Sequence, residues 1–245
     1  MASDEEKTAD QPGIPRAVLL AWGAIPATTK GPKPRWTLDE LLETAVRLGD
    51  EQGINAISMS GLAKALGSGI MSLYRYVESR EDLVILAADR ALGPGTTPVG
   101  DTWQERLWEW VSDLRSAYEQ HPWLTATPVG IEPLLPSYLC RLETGLECLE
   151  QIGLPGERAV TVLTMLWTYT RGDVEQEAHL TAVAGDQPAQ IIQFLAQRLR
   201  SISGDHQVSR VLAALESEPA PKTDGDEFKA AINIIVSGLV STGNQ

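Results

Sequence analysis

The stretch SMSGLAKALGSGIMSLYRYVESREDL, residues 58–83, decides the fold because it contains two short helical patterns separated by glycines. Ser58 is a favourable N-cap, and apolar residues follow it at the spacing that gives a helix one buried face. Those apolar residues are Met59, Leu62, Ala63 and Leu66. Gly67 can adopt the left-handed conformation that ends a helix, and residues 68–77 predict a second, shorter helix. Two helices joined by a turn of about three residues have the spacing of a helix-turn-helix.

The second of these helices needs tertiary support, because a helix of roughly eight residues is marginal in water. Leu73 and Val77 lie one turn apart and are expected to anchor it to the preceding helices. The remaining side chains spread over its other sides: Ile70, Met71, Ser72, Tyr74, Arg75 and Tyr76. On an outward face, tyrosine and arginine suit phosphate groups, and the apolar pair suits thymine methyl groups. On an inward face the same residues would be ordinary core, and spacing alone leaves both interpretations open.

The net charge of -13 argues at first against a nucleic-acid partner, since phosphate binding depends on lysine and arginine. The acidic excess is concentrated in residues 93–245, which carry 20 acidic and 10 basic side chains. Residues 30–37 contain no acidic residue, and they carry Lys30, Lys33 and Arg35. A second basic group within residues 58–80 consists of Lys64, Arg75 and Arg80. This distribution permits a DNA-binding head.

Capping signals predict further helices on either side of the opening stretch. Residues 37–40, TLDE, form a capping box before an apolar helical pattern that ends near Gly53. Ser79 caps a fourth helix that runs to the break GPGTTPVG at 93–100. We therefore predict three parts: a flexible N-terminal extension with a basic arm at 1–36, a head at 37–92 with its helix-turn-helix at about 59–78, and a larger domain at 93–245.

Residues 93–245 carry helical patterns throughout. TWQE at 102–105 is a second capping box, and an apolar stripe follows it as far as Tyr118. Further helices are predicted at about 134–152, 155–181, 188–202, 205–217 and 226–241. No convincing alternating strand pattern occurs, so the predicted fold class is all-α.

Several structural features are not expected in this chain. Residues 1–36 contain five prolines, which exclude a long helix there, and residues 16–23 either form two helical turns or simply pack on the domain. The acidic N-terminus is unlike a signal peptide, and no long apolar run is free of charge, so we expect a soluble, cytoplasmic protein without a membrane contact. Cys140 and Cys148 are expected to be reduced, buried thiols without a zinc site.

Residues 37–92 closely resemble the DNA-binding head of the tetracycline-repressor (TetR) family of bacterial regulators. The resemblance rests on Ala45, Gly53, ISM, Leu62, Ala63, LG, SLYRYV and SREDL. A looser resemblance, to an actinobacterial branch of this family with a TetR-like C-terminal domain, covers residues 103–242. It implies a three-helix head joined to a larger helical domain for effector binding and dimerisation. The expected function is a ligand-responsive regulator, most often a repressor, that binds a palindromic double-stranded DNA operator as a homodimer.

The resemblance also implies site residues. The DNA-facing positions are Ser58, Met59, Ser60, Lys64, Ile70, Met71, Ser72, Tyr74 and Tyr76. Arg80 stands where the family usually has a phosphate-binding lysine, and Arg75, Lys33 and Arg35 are further candidates for DNA contact. Two positions depart from the family: members often have arginine at the position of Ser60, and a polar base-reading residue near Ile70 or Met71. Base specificity is therefore expected to depend more on DNA shape, on Arg75 or on the basic arm in a minor groove.

The larger domain is expected to hold a small, largely apolar or aromatic effector. For any single aromatic residue core packing is the favoured explanation, but as a set five of them could line its cavity: Trp103, Trp110, Trp123, Trp167 and Tyr169. Glu175, Glu177 and His179 either add polar specificity or form a solvated helix end. The helices at about 155–181 and 226–241 are the predicted dimer interface.

Two alternatives stay open: an all-helical enzyme that acts in the aromatic cavity, and a helical interaction module without operator binding. The three histidines form no HExxH motif, and neither a nucleophile elbow nor a P-loop occurs. No cofactor or metal is therefore expected.

Overall fold

The computed structural model of the chain describes residues 13–26, 35–128, 130, 132–184, 188–202, 209–216 and 226–242. All regular secondary structure within these ranges is helical, which confirms the all-α prediction. The helices are α1 (Arg16–Ala21), α2 (Leu38–Gln52), α3 (Met59–Leu66), α4 (Ile70–Leu73), α5 (Arg80–Leu92), α6 (Trp103–Gln120), α7 (Pro136–Leu149), α8 (Gly156–Ala184), α9 (Pro188–Ile202), α10 (Ser209–Glu216) and α11 (Asp226–Thr242).

The chain divides into two compact units, Met1–Arg171 and Gly172–Gln245. In the first unit α2 packs against α3 and α5, and α5 also contacts α1, α6 and α7. The break at 93–100 falls inside this unit, so the three-part division proposed above stays a prediction. In the second unit α9 packs against α10, and α11 buries Phe228 and Ile232.

Local caps begin the helices of the head, as the sequence predicts. The Thr37 hydroxyl accepts a hydrogen bond from the Glu40 amide at 3.1 Å, and the Glu40 carboxylate accepts one from the Thr37 amide at 2.7 Å. The Ser58 and Ser79 hydroxyls cap α3 and α5 by accepting hydrogen bonds from the Gly61 and Asp82 amides. Gly67 ends α3 with φ +58°, a conformation that favours glycine. Each cap satisfies an amide that would otherwise lack a partner at a helix start.

Helix α4 is shorter than predicted, because it covers only Ile70–Leu73 and residues 74–76 form a turn. The Ser72 hydroxyl donates to the Gly69 carbonyl at 2.6 Å. This side-chain bond competes with the backbone amides for the carbonyl at the start of the helix. Leu73 and Val77 are both fully buried, so the turn is fixed at its two ends. The anchoring role predicted for these two residues is confirmed.

The head is joined to the next part of the unit by a close contact between α2 and the short helical segment Pro122–Ala126. The Trp123 indole N–H donates to the Asp50 carboxylate at 2.8 Å, and the His121 ring lies 2.7 Å from the same oxygen. The indole covers Gly49, where an added Cβ would lie 2.6 Å from a ring carbon. Only glycine therefore permits this approach.

We expect Gly49→Ala to lower the free energy of unfolding by about 1–3 kcal/mol, because the buried Trp123 ring has no room to move away. Urea unfolding followed by circular dichroism measures the change. Gly172→Ala is the matched control, since a Cβ at that helical position of α8 meets nothing within 4 Å. Equal changes in the two variants would show that the Trp123 contact is unimportant.

Candidate DNA interface and effector cavity

The outward surface of the helix-turn-helix is formed by α3, α4 and the turn after α4. Met71 is 82% exposed, and Tyr74 and Ile70 are exposed at 44% and 42%. Ser60 and Lys64 are exposed on α3. Large apolar side chains on a surface of this kind mark a contact with another molecule.

Tyr76 is not part of this surface. Its side chain is 3% exposed, and its hydroxyl accepts a hydrogen bond from the Trp36 amide at 3.3 Å. The predicted DNA contact by this side chain is therefore wrong. Tyr76 follows the buried Leu73 by three residues, and residues with that spacing share a face of a helical turn.

Met59 is also buried, so its predicted contact with DNA is wrong as well. Helical spacing and family resemblance give opposite expectations for this residue, and the structure follows the spacing. Ser58 is half-buried, and its hydroxyl accepts the Gly61 amide hydrogen at 3.0 Å, so this side chain caps α3.

The basic candidates differ in what they contact. Arg80 is exposed, and its guanidinium donates to the Ile54 carbonyl at 3.0 Å. Arg75 is half-buried, with its guanidinium 5.7 Å from the centre of the Tyr76 ring, and exposed Arg35 lies similarly over Trp36 at 5.1 Å. Lys33 lies outside the described residues. Arg80, Arg75, Arg35 and Lys64 therefore place positive charge near the outward surface.

A cavity lies in the first unit beside the C-terminal end of α5. About 330 Å³ of space lies between its wall atoms, including some open solvent, and the enclosed part has room for about one water molecule. Three aromatic rings contribute to its wall: Tyr118, Tyr138 and Trp167. Its other wall residues are Ala88, Asp89, Leu92, Leu124, Thr127, Glu132 and Leu135. The cavity wall is mainly apolar.

Of the five predicted aromatic residues, Trp167 lines this cavity, whereas Trp103, Trp110, Trp123 and Tyr169 do not. Trp110 is buried beside it, and its indole N–H donates to the Arg141 carbonyl at 2.7 Å. Trp123 is used in the contact with α2 described above. Glu175 is half-buried on α8, and Glu177 and His179 are exposed there, all three in the second unit.

Two carboxyl groups in the cavity wall have raised pKa values, because burial disfavours the charged forms of Asp89 and Glu132. The Ser137 amide donates to Asp89 at 2.9 Å, and the Arg171 guanidinium contacts Glu132 at 2.6 Å. These bonds offset part of each increase. Burial also raises the pKa of the Tyr118 hydroxyl to about 12.

Helix α5 connects the cavity with the outward surface of the head. Its last turns supply Asp89 and Leu92 to the cavity wall, and its first residue follows the capping Ser79. Arg141 of α7 holds its C-terminal end by donating to the Leu92 and Gly93 carbonyls at 2.7 and 2.9 Å. The same guanidinium pairs with Asp113 of α6 at 2.5 Å. Helix α5 thus lines the cavity near its C-terminal end and begins three residues after residues 74–77, here called the recognition turn.

Comparison with known proteins decides the family. Residues 41–87 match bacterial regulatory proteins of the tetR family, and residues 96–242 match the tetracyclin repressor-like C-terminal domain. The chain belongs to the TetR family. This TetR-family protein is a DNA-binding transcriptional regulator with a ligand-binding C-terminal domain, and the enzyme alternative is wrong. Members of the family bind DNA operators and small-molecule effectors and are dimers.

Relatives of this TetR-family regulator occur in several actinobacteria. It is 32% identical to the HTH-type transcriptional repressor DrrR1 of Streptomyces coeruleorubidus over 71% of this chain and 65% of that protein. The match thus spans just under two thirds of the length of DrrR1. An HTH-type transcriptional regulator of Saccharopolyspora erythraea is 28% identical over 97% of each chain.

Solved structures of Streptomyces coelicolor ActR, also of the TetR family, share this fold. ActR in complex with actinorhodin has a TM-score of 0.71 and 26% identity, covering 86% of this chain and 99% of that chain. ActR in complex with (S)-DNPA has a TM-score of 0.69 and 25% identity, covering 86% and 100%.

Other features of the regulator concern membranes, metals and thiols. Among helices in the described ranges, none combines the length and apolar character needed to cross a membrane. Within the same ranges no three acidic, histidine or cysteine side chains gather as a metal site would require.

Cys148 is buried, which raises the pKa of its thiol to about 11. Cys140 is exposed, so the prediction of two buried thiols is wrong for this residue.

Proposed function

We propose that this regulator is a repressor that binds a palindromic operator as a homodimer and leaves it when a small, largely apolar or aromatic effector enters the cavity. The observation that carries the proposal is the position of α5, which contributes to the cavity wall at one end and begins beside the recognition turn at the other. The relative DrrR1 is named a transcriptional repressor, which supports repression over activation as the role of this regulator.

In the proposed complex, the outward surface of α3 and α4 enters a major groove. The exposed Ile70 and Met71 side chains suit thymine methyl groups, and the Tyr74 hydroxyl suits a phosphate. Lys64 and Arg80 add phosphate contacts at the edges, and the basic arm that ends at Arg35 reaches an adjacent minor groove. Contacts of this kind read DNA shape and methyl groups more than hydrogen-bonding base edges.

The proposed dimer forms through α8 and α11, the helices predicted for this role. Several large apolar side chains on these helices are exposed in the single chain: Val160, Met165, Leu180, Val183 and Ile234. Apolar groups of this size normally pack against a partner, and a second copy supplies matching helices. A symmetric dimer presents two recognition turns to half-sites about one turn of DNA apart.

The wall of the cavity supports an effector with an aromatic body and hydroxyl groups. Tyr118, Tyr138 and Trp167 provide ring faces, while Asp89 and Glu132 provide oxygen acceptors. Because the cavity admits little more than water-sized molecules, a ring compound must displace part of the wall on entering. An effector that binds the displaced state more tightly by a few kcal/mol is sufficient to release the operator.

Fluorescence anisotropy with duplexes from the protein's own promoter region tests the proposal. We expect one discrete complex whose affinity falls steeply with salt and whose stoichiometry is two chains per site. Hydroxylated aromatic compounds are then added, with quenching of tryptophan fluorescence as the measure of binding. If the protein bound none of the duplexes at any salt concentration, the result would instead support the interaction module without operator binding.

Tyr74→Phe is expected to weaken binding to different duplexes by about tenfold each, because it removes one hydrogen bond to a charged phosphate. Anisotropy titrations against several duplexes measure the change. Tyr76→Phe is the matched control: its buried hydroxyl bonds to Trp36, so the substitution should lower stability and leave affinity within about twofold. An altered base preference for Tyr74→Phe would contradict the proposed phosphate contact.

A further inference from the structure

Helix α1 lies outside both stretches that match the TetR family, yet it packs firmly on the first unit. Ala17, Val18 and Leu20 are buried, and the helix lies against α5. Neither family match includes residues 16–21, so no role comes to this helix from them. Its position on α5 nevertheless places it beside the helix that joins the cavity to the head.

The two ends of α1 contact two different functional regions. At its start, the Arg16 guanidinium pairs with the Glu78 carboxylate at 3.1 Å, and Glu78 directly follows the buried Val77 of the recognition turn. Just past its end, the Trp22 indole N–H donates to the Leu134 carbonyl at 2.8 Å. Leu134 lies between two cavity-wall residues, Glu132 and Leu135.

Core packing does not account for these end contacts. Trp22 is 52% exposed, so half of its surface stays in solvent, and its indole N–H bonds to the Leu134 carbonyl between two cavity-wall residues. Arg16 and Glu78 are likewise partly exposed, and such a pair adds little stability. Both contacts set the position of a segment more than they stabilise the fold.

We infer that Trp22 and Arg16 are positioning residues for the response of the head to the cavity. With both ends attached, α1 holds the wall segment Glu132–Leu134 at a set distance from the recognition turn. A displacement of that wall then reaches the head along α1 as well as along α5. The inference rests on the proposed function, because it assumes that the head binds DNA.

Coupling between two sites is reciprocal, so it can be measured without knowing the effector. We expect operator duplex, identified by the anisotropy titration, to slow amide hydrogen exchange in residues 132–139 of the wild-type protein as well as in residues 70–83. In Trp22→Phe, which keeps a ring and loses the N–H donor, the slowing at 132–139 should fall about fivefold while that at 70–83 remains. Arg16→Met should act in the same way from the other end.

Trp103→Phe is the control, because Trp103 is a half-buried tryptophan at the start of α6, outside α1. It should keep the wild-type slowing at both segments, and melting temperatures of all variants identify any general loss of stability. The inference is overturned if Trp22→Phe keeps the slowing at 132–139, or if the wild-type protein shows none there while it binds DNA. A wild-type protein that binds no duplex would instead refute the proposed function.

Discussion

Met71→Glu is expected to lower operator affinity by about 100-fold or more without a loss of stability, because it replaces an apolar contact in the groove with a carboxylate that the surrounding phosphates repel. Met71 is 82% exposed at the centre of the outward surface, so the substitution removes almost no packing. Anisotropy titration measures the affinity, and thermal unfolding by circular dichroism measures the stability. The two readouts separate a lost contact from a lost fold.

Val99→Glu is the matched control for this prediction. Val99 is an apolar side chain that is 69% exposed, and it lies beyond α5, outside the helix-turn-helix. The same increase in negative charge there should leave operator affinity within about threefold of the wild type, since exposed charges are screened over about 10 Å. If both variants bound DNA as the wild type does, the outward surface of α4 would not be the interface.

Arg141→Met is expected to lower the free energy of unfolding by about 3–5 kcal/mol, because it leaves a partly buried Asp113 carboxylate and two backbone carbonyls without their donor. Arg141 is 5% exposed. Burial lowers the pKa of its guanidinium, and the neighbouring Asp113 carboxylate opposes that change. Urea unfolding measures the loss, and anisotropy shows whether the freed end of α5 also weakens DNA binding.

Arg90→Met tests whether burial is the reason for this large effect. Arg90 lies near the same end of α5 and pairs with Asp39 and Glu43, but all three side chains are well exposed. Its removal should cost about 1 kcal/mol or less, as is usual for surface ion pairs. Similar losses for the two arginines would contradict the role of Arg141 as a buried clamp on α5.

The parts of this fold that could be predicted depend on contacts close in sequence. Thr37, Ser58, Ser79 and Thr102 all cap helices by bonds to amides three residues later. Gly67 likewise ends α3 through its own backbone conformation. Such interactions are specified by neighbouring residues, so the head and the start of α6 follow from the sequence.

The cavity could not be predicted in detail because long-range contacts decide which aromatic residues reach it. The bonds of Trp110 to Arg141 and of Trp123 to Asp50 join residues 31 and 73 positions apart. No local sequence pattern shows that these indole N–H groups bond to distant residues and that the rings therefore lie outside the cavity wall. The burial of Arg141, by contrast, could have been predicted, because it lies on the stripe of α7 that also buries Tyr138 and Gly145. An arginine on an apolar stripe indicates a buried, paired charge.

Oxidative footprinting of the wild-type protein tests the DNA-facing surface most directly, since exposed methionines are converted to sulfoxide and can be quantified by mass spectrometry. Met71 is 82% exposed, whereas Met59 on α3 is 7% exposed. Added operator duplex should slow oxidation of Met71 several-fold, and the buried Met59 should oxidise slowly both with and without the duplex. Unchanged oxidation of Met71 in a saturated complex would contradict the placement of α4 in the DNA groove.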